Sequence, residues 1–229
     1  MNHVVVLTGA GISADSGLAT FRDSGGLWEG FDVNEVASIE GWHNNKEKVL
    51  QFYNRRREQA HQAVPNRAHV SIADLEKNFE VTVVTQNVDD LHERAGSTQV
   101  VHLHGLLRQA RSELNPGLVT DIGAKPIFVG DKAEDGAQLR PNIVWFGEPV
   151  PMIEQAVSVV NKADLFMVVG TSLAVYPAAG LVNYLNPAIP KYIVDPSTPE
   201  LHTFSGWTHI KEKAASGVPN LIKEILKNI

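Results

Sequence analysis

Cysteine is absent from all 229 residues. That excludes disulfides, thiol nucleophiles, iron–sulfur clusters and thiolate zinc sites, and leaves histidine and carboxylates as the only zinc chemistry available. A cationic excess is also missing. Lys and Arg number 20 against 26 Asp and Glu, a formal charge of −6, which argues against bare nucleic acid as a direct partner. Long apolar runs are lacking, and the stretch from Met1 to Leu7 has no basic flank before it meets a glycine turn. No signal peptide or membrane span is therefore expected, and the protein reads as cytoplasmic. No feature demands more than a monomer.

Short β-branched apolar runs recur at 4–7, 81–84, 100–103, 143–146, 165–169 and 192–194, each bounded by turn residues. They predict buried strands of a parallel sheet. Helical patterns occupy 68–77, 152–162 and 218–226, the last with Pro219 just inside its start. Alternating strand and helix predicts an α/β fold, a Rossmann-like doubly wound parallel sheet. Two stretches break the rhythm. Residues 33–64 are helical in pattern, with Trp42, Phe52, Tyr53 and the run Arg55-Arg56-Arg57, while 106–141 are polar and weakly periodic. Insertions this long have structure or function of their own, so they are assigned to a smaller inserted module. The large domain is then 1–32, 65–105 and 142–229.

The first strand runs into Gly9-Ala10-Gly11-Ile12-Ser13-Ala14, a G-x-G-x-x-A pattern. Such glycines make a tight turn and let backbone N–H groups approach a diphosphate at a helix N-terminus. Glycine pairs after strands are also ordinary turns. The acidic residue expected ~20 positions on has no counterpart, so this is not a standard dehydrogenase fingerprint. The following segment, rich in Gly and Ser and carrying Phe21, Arg22 and Trp28, suits either a flap that closes on a ligand or a surface loop with its rings tucked inward.

Gln86, Asn87 and Asp89 follow one strand, and His102 and His104 end another, at the edge of an open α/β sheet where ligands sit. The two histidines are two apart and share a face, so periodicity does not choose between them. Position before Gly105 favours His104 as the accessible one.

Together these residues resemble the sirtuins, NAD-dependent protein lysine deacylases. The family's GAGIS…FR appears as Gly9 to Ser13 with Phe21-Arg22. Its QNVD is Gln86 to Asp89, its HG is His104-Gly105, its VWFGE is Val144 to Glu148 and its GTS is Gly170 to Ser172, all in the family's order. The resemblance implies an NAD-binding domain that takes an acyl-lysine peptide between itself and the small module. In the family, the acyl oxygen attacks C1′ of the nicotinamide ribose and nicotinamide leaves. A general base, matched by His104, then activates a ribose hydroxyl, giving O-acyl-ADP-ribose and free lysine. A histidine suits that task because its ordinary pKa lies near 6.5.

The resemblance places Gly9, Ala10, Gly11, Ser13, Phe21, Arg22, Trp28, Gln86, Asn87, Asp89, Gly170, Thr171, Ser172, Asp195 and Ala214 around the cofactor. Asn87 is also catalytic. Asp195 stands where the family commonly has Asn. Val144, Trp145, Phe146, Gly147 and Glu148 match the strand that pairs with substrate peptide through main-chain bonds.

Tyr53 and Arg56 lie three apart in a helical stretch and share a face. Phenol plus guanidinium suits a carboxylate. Sirtuins that remove succinyl or malonyl groups carry this pair, with a small residue where Ala37 stands, so an acidic-acyl pocket is expected. Three consecutive arginines also read as a solvated helix face. The four zinc cysteines common in the family are missing between the HG and VWFGE motifs, where Glu113, Asp121, Asp131, Glu134 and Asp135 are poor ligands by themselves. No zinc is expected, and apolar Leu107, Leu118, Ile127, Phe128 and Leu139 are expected to hold the module. Two rivals remain: an ADP-ribosyltransferase or NAD hydrolase, disfavoured by the peptide-pairing segment with Tyr53 and Arg56, and a non-catalytic NAD-binding module, disfavoured by an intact His104 and Asn87.

Overall fold

A computed structural model describes residues 2–20, 27–28, 30–200 and 205–227, with backbone alone for Leu27 and Trp28. The first part of the chain forms β1 (His3–Thr8), the hairpin β2 (Leu27–Trp28) and β3 (Phe31–Asp32), then α1 (Val33–Val36), α2 (Ile39–Asn44), α3 (Lys46–Gln62) and α4 (Arg67–Asp74). Next come β4 (Glu80–Thr85), α5 (Leu91–Ala95), β5 (Val100–His102), β6 (Gly105–Ser112), β7 (Val119–Asp121) and β8 (Leu139–Ile143). The chain closes with α6 (Ile153–Val160), β9 (Leu165–Val169), β10 (Lys191–Val194), β11 (Trp207–Ile210) and α7 (Ala214–Lys227).

Six strands form one parallel sheet in the order β11-β10-β9-β1-β4-β5. Side chains alternate across it and build two cores. Val4, Val6, Val81, Val83, Met167 and Val169 meet α4 and α7 on one face. Val5, Leu7, Val84, Phe166, Val168 and Ile193 meet α6 and the 3₁₀ segment Ala178–Tyr184 on the other. Burial on both faces is why these strands are continuous apolar runs. The chain moves from β1 to β4 and β5 on one side and returns to β9 on the other. This switch opens a crevice beyond the strands' C-terminal ends.

A second, antiparallel sheet has the order β7-β6-β8. A third core joins it to α1–α3 through Val36, Phe52, Tyr53, Leu107, Ile127 and Trp145.

The run at 143–146 does not join the parallel sheet. Ile143 ends β8, which among the described residues pairs only with β6, and β8 contains Pro141. A residue without an N–H is tolerated on such an edge and not in a central strand. The edge strand β11 has only a partly buried Trp-Thr-His-Ile pattern and no apolar run to announce it. Helix α7 starts at Ala214, which puts Pro219 in its second turn. Small residues in the first turn let it approach β10, and a Cβ on Gly217 would lie 2.6 Å from Val194 Cγ1.

Candidate active site

Loops after β1, β4, β5 and β9 enclose a cavity of about 470 Å³, which reaches α3 on one side and the start of α7 on the other. Its floor is backbone packed on backbone. A Cβ on Gly9 would come within 2.8 Å of Gly170 O, and one on Gly11 within 2.7 Å of Gly170 Cα. Gly170 has φ +63°, and a Cβ there would meet Ile12 N at 2.3 Å. These positions take glycine because two loops interlock. The expected phosphate cradle differs in detail. The Gly9 and Gly11 N–H groups donate to Val169 O and Gly170 O, at 3.1 and 2.8 Å. Two 3₁₀ turns, Ala10–Ile12 and Ala14–Ser16, stand where a helix N-terminus was expected. Gln86 Nε2 donates to Thr171 Oγ1 at 2.9 Å, tying the third loop to the same floor.

Behind this floor lies a buried polar cluster. Ser13 Oγ donates to Asp89 Oδ2 at 3.1 Å and accepts from Asn87 Nδ2 at 3.1 Å. His69 Nδ1 accepts the Asn66 N–H in the α4 capping box, so its proton sits on Nε2, 3.5 Å from Ser13 Oγ. Burial pushes the Asp89 carboxyl above its usual range, partly offset by the Leu91 N–H and Ser13. Burial also depresses His69, to about 4. Ser13, Asn87 and Asp89 all line the cavity and present amide, hydroxyl and carboxyl groups to it.

Geometry separates the two histidines. His102 contacts Asn87 O through Nδ1 and Glu93 Oε1 through Nε2, at 3.2 and 2.6 Å, so both nitrogens are occupied. His104 Nδ1 donates to Gln86 O at 3.0 Å, since a carbonyl only accepts. Nε2 of His104 is left as the basic nitrogen on a ring that lines the cavity. Burial lowers its pKa, against a smaller opposite effect of the Gln86 carbonyl. The ring is therefore neutral at pH 7.

Helix α3 supplies the next wall. Its N-cap Asn45 accepts from Lys48 N, and its buried face runs Val49, Phe52, Tyr53, Arg57 and Ala60. Tyr53 and Arg56 both line the cavity, with Ala37 from the end of α1. The three arginines have three fates. Arg55 is exposed, Arg56 lines the cavity, and Arg57 is buried, donating to Leu107 O and Asn54 Oδ1. The solvated-face reading thus applies to the first alone.

Val144, Trp145, Phe146, Gly147 and Glu148 line the cavity without forming a strand, apart from one parallel bridge between Ser38 and Phe146. Phe146 N donates to Ala37 O at 2.9 Å. The Glu148 carboxylate accepts from Trp145 N, from Arg111 and twice from Arg140. Burial alone would raise its pKa, but Arg140 and the Trp145 N–H hold it below the usual range.

At the far end lie Ser172, the buried Asp195 and Ala214. Sequence reasoning missed Ser197 and Lys213 beside them. The first had a signal: Asp195 accepts the Ser197 N–H at 2.8 Å, the turn that Asp-Pro-Ser after an apolar run predicts. Phe21 and Arg22 lie outside the described residues, and Trp28 is described only by its backbone pairing with Phe31. Among the described residues, no three His, Cys, Asp or Glu side chains converge to hold a metal ion. None of their helices is long and apolar enough to cross a membrane.

The Sir2 family model matches residues 9–177. An NAD-dependent protein deacylase of Helicobacter pylori strain J99 is 49% identical over 227 residues, covering 99% of this chain and 97% of that protein. One from Bacteroides thetaiotaomicron is 51% identical over 231 residues, covering 99% and 98%. Among solved structures, a Sir2 homolog–NAD complex superposes with a TM-score of 0.89 at 37% identity, covering 99% of this chain and 90% of that one. A Sir2 mutant bound to a p53 peptide and NAD superposes at 0.79 with 28% identity, covering 98% and 93%.

Proposed function

The chain belongs to the Sir2 family, and from that premise we propose how its own residues serve as an NAD-dependent protein deacylase and which acyl groups it removes. The cavity suits the cofactor. Its glycine loops pack backbone on backbone to form a floor without side chains, and its polar lining matches the parts of a dinucleotide. Ser13, Asn87 and Asp89 would hold the carboxamide and adjacent ribose, while Asp195, Ser197 and Ala214 would hold the adenosine end. Gly9, Ala10, Gly11, Gly170, Thr171 and Ser172 would border the diphosphate. When bound, NAD supplies a glycosidic bond whose cleavage makes the ribose carbon reactive toward the acyl oxygen.

His104 is the general base. Its Nδ1–H is fixed on Gln86 O, so Nε2 points its lone pair away from that carbonyl, and burial keeps the ring unprotonated at neutral pH. Asn87, itself oriented by Ser13 and Thr85, holds the ribose side. The segment 144–148 offers backbone to the peptide, so acylated lysines are read with little demand on flanking sequence. Residues 33–64 and 106–141 act as one small module that closes this side and folds without zinc. The products are free lysine, nicotinamide and O-acyl-ADP-ribose.

The acyl group is acidic, succinyl or malonyl, in addition to acetyl. One observation carries this: Tyr53 and Arg56 line the same cavity as His104, beside the small Ala37. A guanidinium fork and a phenol suit a carboxylate at the end of a short chain. Burial keeps the phenol protonated. Arg56→Met should lower kcat/KM on a succinyl-lysine peptide by about 10- to 100-fold, the worth of a charged hydrogen bond, and affect the acetyl peptide far less. Equal losses on both peptides would sink the acidic-acyl reading. Nicotinamide release independent of acyl peptide would instead support an NAD hydrolase.

A further inference from the structure

A phenol has one proton and two lone pairs, and an indole nitrogen only donates. Trp145 Nε1 lies 3.0 Å from Tyr53 Oη, in a buried contact between residues 92 apart in sequence. The phenol oxygen therefore accepts from the indole, and its own proton is directed elsewhere. Tyr53 lines the cavity, where Ala37 and Leu107 have no acceptor side chain and the Glu148 carboxylate already accepts from Trp145 N, Arg111 and Arg140.

The indole is itself braced. The Arg140 guanidinium lies 3.4 Å from its ring centroid, and the Trp42 ring packs at 5.5 Å. Arg140 donates to both Glu148 carboxylate oxygens, at 2.8 and 2.9 Å. Glu148 in turn accepts the Trp145 backbone N–H at 2.8 Å and a bond from Arg111 at 3.0 Å. Arg111 and Arg140 belong to β6 and β8, so the brace is built by the small sheet.

We infer that Trp145 is a positioning residue for acyl specificity: its indole N–H occupies the Tyr53 oxygen and commits the phenol proton to a carboxylate at the acyl end. The inference rests on the acidic-acyl reading above and deepens it. An unbraced phenol could turn its proton onto a protein acceptor and face the ligand as a second acceptor, which would repel a carboxylate. The Arg140–Glu148 pair fixes the plane of the indole and so the direction of its N–H. In this arrangement the small sheet reaches the acyl pocket without touching the acyl group.

A double-mutant cycle tests this with NAD and matched succinyl- and acetyl-lysine peptides. Trp145→Phe keeps a ring beneath Arg140 and removes the N–H. The ratio of succinyl to acetyl kcat/KM should fall about tenfold, chiefly through KM for the succinyl peptide. In a Tyr53→Phe background the same change should move the ratio no further. A fall of equal size in that background, or no fall in the single variant, overturns the positioning role and leaves the acidic-acyl reading standing. A Tyr53→Phe enzyme with an unaltered ratio overturns both. Should Trp145→Phe not fold, the wild-type protein labelled at the indole nitrogens of its 4 tryptophans provides the second readout. One indole N–H signal should shift with a bound succinyl peptide, stay in place with the acetyl peptide, and be the signal that Tyr53→Phe displaces. The absence of such a signal overturns the inference.

Discussion

Along β9, Phe166 and Val168 face one core while Met167 and Val169 face the other, and all four are fully buried. In the antiparallel sheet, by contrast, the long segment between β7 and β8 is tied down by polar side chains bonded to backbone. Gln138 accepts from Gly130 N and donates to Phe128 O and Leu139 O. Asp135 accepts from Ser112 Oγ and Ala137 N, and Asn54 on α3 clasps both backbone groups of Ile127. Apolar packing was expected to hold this region. Leu107 and Ile127 do lie in the core, but Phe128 is 61% exposed and Leu118 half-buried. The six-stranded sheet resists unfolding through removed apolar area, whereas the segment between β7 and β8 relies on a few directional bonds whose loss leaves buried groups unpaired.

That difference predicts the largest effect in the parallel sheet. Phe166 is wholly buried and meets Trp207 edge-on at 6.2 Å. Phe166→Ala should destabilise the protein by about 3–5 kcal/mol in urea unfolding, with hydrogen exchange accelerated in all six strands together. A loss below about 1 kcal/mol, or faster exchange confined to β9, would mean that this core does not behave as one unit.

Acid should separate the two regions next. His69, in α4 against the parallel sheet, has its pKa lowered to about 4 by burial, and His92 is pushed down for the same reason. An unfolded histidine takes a proton near pH 6.5, so the native state binds fewer protons than the unfolded one between that pH and about 4. Stability from His69 is whole above pH 6.5 and drains away as pH falls toward 4, by up to about 3 kcal/mol. A protonated ring also loses its bond from Asn66 N. Around the small sheet the carboxyls are shifted down too, but from a lower ordinary value. Hydrogen bonds from Ser112 and Gly123 hold Asp135 and Asp121 below the ordinary carboxylate range, so their ties fail only at lower pH. Thermal midpoints that stay flat from pH 6.5 to 4.5 would refute this order. His69→Gln should flatten part of the slope.

The parallel sheet was legible because burial on both faces writes itself as apolar runs, and the glycines because interlocking loops admit nothing larger. The strands β6, β7, β8 and β11 escaped that logic, as did the short hairpin β2–β3. β8 hides in Leu-Arg-Pro-Asn-Ile, where Pro141 masks an edge strand, and β11 has one polar residue in two. Within the site, the choice of His104 over His102 could not come from spacing, since both sit on one face. It came from the place of His104 before Gly105 and from the family resemblance, to which the structure adds that Glu93 and the Asn87 carbonyl occupy the other ring. The role of Arg57 was hidden for the same reason: a buried arginine and a solvated one are identical letters until a carbonyl such as Leu107 O is seen beside one of them.

The smallest effect should be the most local. Gln138 is 6% exposed and makes three hydrogen bonds within the segment 128–139. Gln138→Ala leaves a backbone N–H and two carbonyls short of a partner, and costs about 1–3 kcal/mol if the segment stays in place. The segment can instead open to water and satisfy those groups, at which point the global loss shrinks and the local one appears. Amide exchange at 128–138 should therefore quicken while β1, β4 and β9 keep their protection. Since Ile127 is buried under α3 and held by Asn54, opening should stop there, leaving the Tyr53 side of the cavity in place. Exchange that spreads into the parallel sheet would show that the polar ties carry the whole fold. Protection unchanged at 128–138 would show that the apolar contacts suffice, returning the small sheet to the same rule as the large one.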